Sequence, residues 1–196
     1  YDIKQTPTYS MRTLAYHEAT PGHHHQIAHS LENEDLTLYR RFGYFTSAFA
    51  EGWALYSEIL ALEAGLAEDP YDELGILQSE LFRAVRLVVD TGMHYKRWTR
   101  EEAMKYMKTK TGMSDTEVRV EIERYMVWPG QALSYKVGMI KILELREKAM
   151  SELGDKFNIK DFHSAVLDHG NPPLFIVEEM VLSLIHISEP TRQVPI

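Results

Sequence analysis

The sequence predicts a mostly α, single-domain protein, and three observations carry that expectation. Apolar residues recur at helical spacing, and no segment keeps the strict alternation of a strand. Pro, Gly and N-cap residues divide the chain into pieces of helix length. The composition, 44% hydrophobic and 26% charged over 196 residues, is that of a globular chain with material for a core.

Each element has its own signal. A helix is expected from Ser10 or Thr13 to about Glu34, anchored by Leu14, Ile27 and Leu31 and kinked or interrupted at Pro21-Gly22. FTSAFAEGWALYSEILALEAGL, residues 45–66, is rich in Ala and Leu and closes on Gly65 and Pro70. Further helices are expected over Tyr71 to Tyr95 and from Thr99 to Gly112. Ser114 with Glu117 forms a capping-box pattern opening a helix that ends before Pro129. Pro129 then fits the first turn of a long helix bearing Leu133, Val137, Ile140 and Leu143. Asn158 and Asp161 mark another start, and Leu174 to Leu184 form the last helix after the Gly170, Pro172-Pro173 turn. Met104, Met107 and Met139 read as core filler.

The chain carries a net charge of −8 and no Cys. Disulfides, thiolate nucleophiles and cysteine-ligated metal centres are therefore excluded. No apolar run approaches the ~20 residues of a membrane span, and the acidic balance points away from a nucleic-acid partner. The first residue is Tyr1, so the sequence reads as a fragment or processed product. The parent could be cytoplasmic or exported, because a signal peptide would lie upstream; the oligomeric state is not encoded in any visible pattern.

Chemistry concentrates in YHEATPGHHHQIAH, residues 16–29, which holds five of the nine histidines. His17-Glu18 resembles the opening of the H-E-x-x-H zinc motif, but position 21 is Pro where the second His would stand. On a straight helix His17 and His24 share a face about 10.5 Å apart, and His17 and His23 differ by a net rotation of about 240°. Neither pair meets one zinc. A two-residue bulge at Pro21-Gly22 would restore the juxtaposition and make His23 the second ligand, with His24 the alternative. Consecutive histidines also make a solvated patch or an adventitious metal tract. A third ligand is expected from Glu51 or Glu58, seven apart on one helix face; Gly52 beside Glu51 permits close approach, and the other carboxylate could orient a ligand His.

HEATPGHHHQ (17–26), FAEGWALYSE (49–58), RLVVDTGMH (86–94) and YMVWPGQALSYKVG (125–138) together resemble the bacterial DUF885 family over about residues 5–182. His17, Glu18, Pro21, Gly22, His23 and His24 match its H-E-x-x-P-G-H-H pattern. The resemblance implies a zincin-like, mostly helical metallopeptidase domain, whose helices carry the metal site, forming the C-terminal half of a longer protein. AEGWA is similar to the N-E-G-F-A stretch of zinc aminopeptidases, which favours Glu51 as ligand. Residues 1–183 are thus expected to form the catalytic region. SLIHISEPTRQ, residues 183–193, resembles sequencing-adapter read-through, and residues 184–196 are expected to be a non-native tail.

The expected function is hydrolysis of peptide bonds in short peptides, as a carboxypeptidase or dipeptidase, with one zinc ion held by His17, His23 and Glu51. Glu18 is the expected general base. Tyr135 and His94 are candidates to stabilise the oxyanion. Arg83, Arg86, Gln131 and Lys136 are candidates to bind substrate, one arginine gripping a free carboxylate; an Arg86–Asp90 pair reads more simply as a structural salt bridge. A metal-dependent hydrolase of another amide or ester, and a non-enzymatic helical metal-binding or interaction module, are the alternatives.

Overall fold

The computed structural model describes residues 7–43 and 45–188. Among them lie nine α-helices and no strand: α1 Ser10–Glu18, α2 His23–Glu32, α3 Ser47–Glu63, α4 Pro70–His94, α5 Arg100–Thr111, α6 Asp115–Val127, α7 Gln131–Leu153, α8 Ile159–Leu167 and α9 Leu174–Ser188. None is long and apolar enough to cross a membrane.

Local chemistry sets most boundaries. Capping boxes open α4 (Asp69 with Asp72), α5 (Thr99 with Glu102) and α6 (Ser114 with Glu117). Gly112 ends α5 in the left-handed conformation, φ 69°, which costs a residue without Cβ little. Pro129 lies outside α7, because Gly130 at φ 83° forms the N-cap and helical geometry begins only at Gln131. A short π-turn over Tyr39–Gly43, which the sequence pattern does not announce, links α2 to α3. The last helix extends past residue 184 to Ser188, and Ile185 is buried in the core, so the expected tail boundary falls inside α9. Residues 189–196 lie outside the described residues.

The centre of the molecule is the α3–α7 pair. Gly52 and Gly138 face each other so closely that a Cβ on Gly138 would stand 1.8 Å from the Ala48 carbonyl oxygen. One core joins α3 and α7 to α8 and α9 through Phe49, Trp53, Tyr56, Ile142, Phe162 and Val181. A second gathers Val85 and Val89 of α4, Met107 of α5 and Ile122 and Tyr125 of α6. Met107 and Met139 are buried in these cores, Met104 packs against the second. The α1–α2 corner lies against α3, and this contact positions the histidines.

Candidate metal centre

Pro21 has no N–H and its ring clashes with a helical carbonyl four residues back, so α1 stops at Glu18 and α2 restarts at His23. The connecting corner is tightly specified. A Cβ on Gly22 would lie 1.9 Å from the His17 carbonyl oxygen, so only glycine fits there. The Trp53 indole Nε1–H donates to the Pro21 carbonyl at 2.9 Å, pinning the corner to α3. The result brings the His17 and His23 rings to a centroid distance of 4.9 Å, nearly perpendicular.

Glu51, one turn into α3, points at the same spot. Its Oε2 is 3.2 Å from His23 Nε2 and 3.8 Å from His17 Nε2. One donor atom from each of His17, His23 and Glu51 lies within 4.8 Å of the other two. Two donors ~2.0–2.2 Å from a tetrahedral zinc are roughly 3.3–3.6 Å apart, so this spacing and the His₂Glu donor set fit such an ion. Glu58 lies one face-repeat further along α3 and is buried with His17. Its Oε1 pairs with His17 Nδ1 at 2.7 Å, and its Oε2 accepts from the Thr13 hydroxyl at 2.8 Å. With Nδ1 so occupied, Nε2 is the nitrogen left facing Glu51.

Burial opposes charge on both partners, and the pairing overrides it. Burial alone would lower the His17 pKa, yet the carboxylates of Glu51 and Glu58 lift it above the ordinary value. Burial would raise the Glu51 carboxyl, but hydrogen bonds from His17, His23 and Tyr135 hold it at about 2.

Tyr135, from α7, completes the group. Its ring stacks on His17 at 6.0 Å, and its hydroxyl accepts from Gln131 Nε2 at 3.2 Å. The remaining expected residues divide into near and far. Glu18 adjoins His17 as the last residue of α1 and is exposed, as is His24. Arg83 and Arg86 lie over the Tyr135 ring, at 4.9 and 4.2 Å from its centre. Gln131 acts as a strut rather than a free donor. Its Nε2 donates to Glu51 as well as Tyr135, while its Oε1 accepts from Arg86 and Arg124. Arg86 consequently does not pair with Asp90, whose carboxylate instead accepts from the Gly130 N–H ahead of α7. Lys136 turns away to Glu80. His94 stands outside the cluster at the exposed end of α4, with Nε2 donating to the Tyr125 carbonyl at 3.0 Å.

Three contributors escaped the sequence reading: Thr13, Trp53 and Arg124. Each acts through a partner between 7 and 45 residues away, and none belongs to a residue type that by itself suggests such a site.

The fold and this cluster define an all-α protein with a His₂Glu constellation at a helix break. The family described as "Bacterial protein of unknown function (DUF885)" matches residues 1–181, and the chain belongs to it. It is similar to a protein of Colwellia psychrerythraea described as a "putative lipoprotein", with 53% identity, a TM-score of 0.90 and coverage of 95% of this chain. It is also similar to a "putative lipoprotein of unknown function" of Shewanella oneidensis, with 28% identity, a TM-score of 0.82 and coverage of 89% of this chain. In each case the chain spans 32% of the neighbour, about a third of its length rather than the expected half. No curated protein matches the chain.

Proposed function

We propose that this chain is the zinc-binding, catalytic part of a zincin-like metallopeptidase that hydrolyses peptide bonds in short peptides. The observation that carries the reading is the convergence of His17 Nε2, His23 Nε2 and a Glu51 oxygen, with the far nitrogen of His17 anchored on Glu58. That carboxylate–histidine pairing is the outer support that zinc-binding histidines commonly have, and it fixes which nitrogen is offered. Zinc held there would supply a Lewis acid for the substrate carbonyl and activate water near neutral pH.

The chain's own residues divide the remaining work. Glu18, next to His17, accepts the proton from the attacking water and returns it to the departing amine. The Tyr135 hydroxyl, held by Gln131, donates to the oxygen on which negative charge develops. Gln131, Arg86 and Arg124 hold Glu51 and Tyr135 in register and touch no substrate. His94 has no part in it.

The test is Glu18→Gln, which keeps shape and removes the proton acceptor. Zinc content should stay at the wild-type level while cleavage of a mixed short-peptide library falls by about 10²-fold or more. Undiminished cleavage would remove Glu18 from the mechanism. Bound zinc with cleavage of simple esters or non-peptide amides, and not of peptides, would favour the broader hydrolase. Bound zinc with no hydrolysis of any of these would favour the non-enzymatic module.

A further inference from the structure

Arg83 has no ion pair of its own, although the Glu58 carboxylate favours its charge from a distance. Its Nε is sealed from solvent and has no hydrogen-bond partner, and none of its nitrogens forms an ion pair among the described residues. Its guanidinium lies over the rings of Phe82 and Tyr135, at 5.0 and 4.9 Å. Ring faces soften the desolvation of a cation but do not replace a counter-ion. The neighbouring cations are committed elsewhere, Arg86 to Gln131 and Lys136 to Glu80. The neighbouring carboxylates are committed too. Both Glu58 oxygens are taken by His17 and Thr13, and Glu117 caps α6 through Ser114.

Arg83 also lines a cavity of about 240 Å³ between α1, α4 and the α5–α6 junction. His17 and Glu58 form part of its wall, and Leu14, Leu81, Phe82 and Met113 supply apolar surface. A dry apolar cavity of about 150 Å³ already accepts benzene, so this space suits one apolar side chain together with a carboxylate. Arg83, the apolar wall and His17 with its partner Glu58 border one space; His23 and Glu51 do not line it, and Tyr135 touches both the arginine and the histidine.

We infer that Arg83 receives the free C-terminal carboxylate of a peptide whose last side chain is apolar and lies in this cavity, which makes the site a carboxypeptidase or dipeptidase site. The inference rests on the metallopeptidase reading and narrows its substrate class. A guanidinium fork grips a carboxylate with two parallel hydrogen bonds, and the carboxylate supplies the direct ion pair that Arg83 lacks.

Two measurements on the whole chain test it. The first is binding of 3-phenylpropionate, an apolar carboxylate, and of its amide, by calorimetry to wild type, Arg83→Met and Arg83→Lys, with zinc content and helicity checked in each. The acid should bind wild type, weaken about 10–100-fold in Arg83→Met, and recover partly in Arg83→Lys; the amide should bind none of them. Equal binding of acid and amide, or binding of the acid unchanged in Arg83→Met, would overturn the assignment.

The second measurement is cleavage of peptides ending in Phe as free acid, ending in Phe amide, and ending in Glu amide. The free acid should be preferred, with kcat/KM falling to the amide level in Arg83→Met. Efficient, Arg83-dependent cleavage of the Glu amide would overturn the terminal carboxylate in favour of an acidic side chain. Cleavage indifferent to all three ends would overturn the Arg83 inference while leaving the peptidase reading intact. Arg83-dependent binding of the acid with no peptide cleaved would overturn the peptidase reading, and with it the substrate assignment.

Discussion

Glu58 shows how one side chain can decide what another offers. Its carboxylate is buried, and both its oxygens are used, one by Thr13 and one by His17 Nδ1. Removing its charge should leave His17 free to turn and less basic, so Glu58→Gln is predicted to weaken zinc binding about 10–100-fold, measured by competition with a chelating dye. Unchanged affinity would mean that packing alone orients His17. At Gly22 the constraint is steric. Gly22→Ala places a methyl group against the His17 carbonyl, and the α1–α2 corner must open. Stoichiometric zinc should be lost while helix content in circular dichroism stays near wild type; retained stoichiometry would show that the corner can relax without parting the two histidines.

At the scale of elements, the close approach of α3 and α7 sets the position of Glu51 relative to Gln131 and Tyr135. Gly138→Ala drives a methyl group into the Ala48 carbonyl, with Gly52 also within contact. Overpacking between two backbones should cost about 3 kcal/mol or more in urea unfolding, and the proposed zinc site should suffer with it. A loss below about 1 kcal/mol would mean the pair is less rigid than its geometry.

Those same elements show what a sequence can disclose. The break at Pro21-Gly22, the Ser114–Glu117 box and the Gly112 terminus were all legible, because each is enforced by sterics or hydrogen bonds within about four residues. The meeting of His17 with His23 was legible as a consequence of that break. Spacing put Glu51 and Glu58 on one face without showing their different contacts, because those depend on where α1 lies across α3. The partners of Arg86 and Asp90 differ from the local expectation for a related reason. An i,i+4 pair is the cheapest local guess, but α7 presents Gln131 and the Gly130 N–H to the same two side chains. The α9 extension past residue 184 has little local signal, and its anchor among residues 184–187 is the buried Ile185.

For the whole molecule, pH exposes a half-buried histidine with no part in the site. His163 Nε2 pairs with the Tyr56 hydroxyl at 2.8 Å, and its ring packs against Trp53. Burial, with help from the Arg146 guanidinium, pushes its pKa down to about 4. In the unfolded chain it titrates near 6.5, so between these values the unfolded state binds more protons and stability falls as pH is lowered. The loss amounts to about 1–2 kcal/mol once solvent screening of the half-buried ring is allowed for. The stability advantage of wild type over His163→Gln should therefore shrink by that amount between pH 7 and pH 4.5 in urea titrations. A constant difference would show that His163 titrates in the fold as it does in the unfolded chain.

In the proposed reading, a helix broken at Pro21-Gly22 and a carboxylate from α3 hold one zinc ion. The most direct measurement is the zinc content of the purified chain by elemental analysis, wild type beside His17→Ala. One zinc per folded wild-type chain is expected, and its loss in the variant. Folded wild type that takes up no zinc, even when it is supplied, would contradict it.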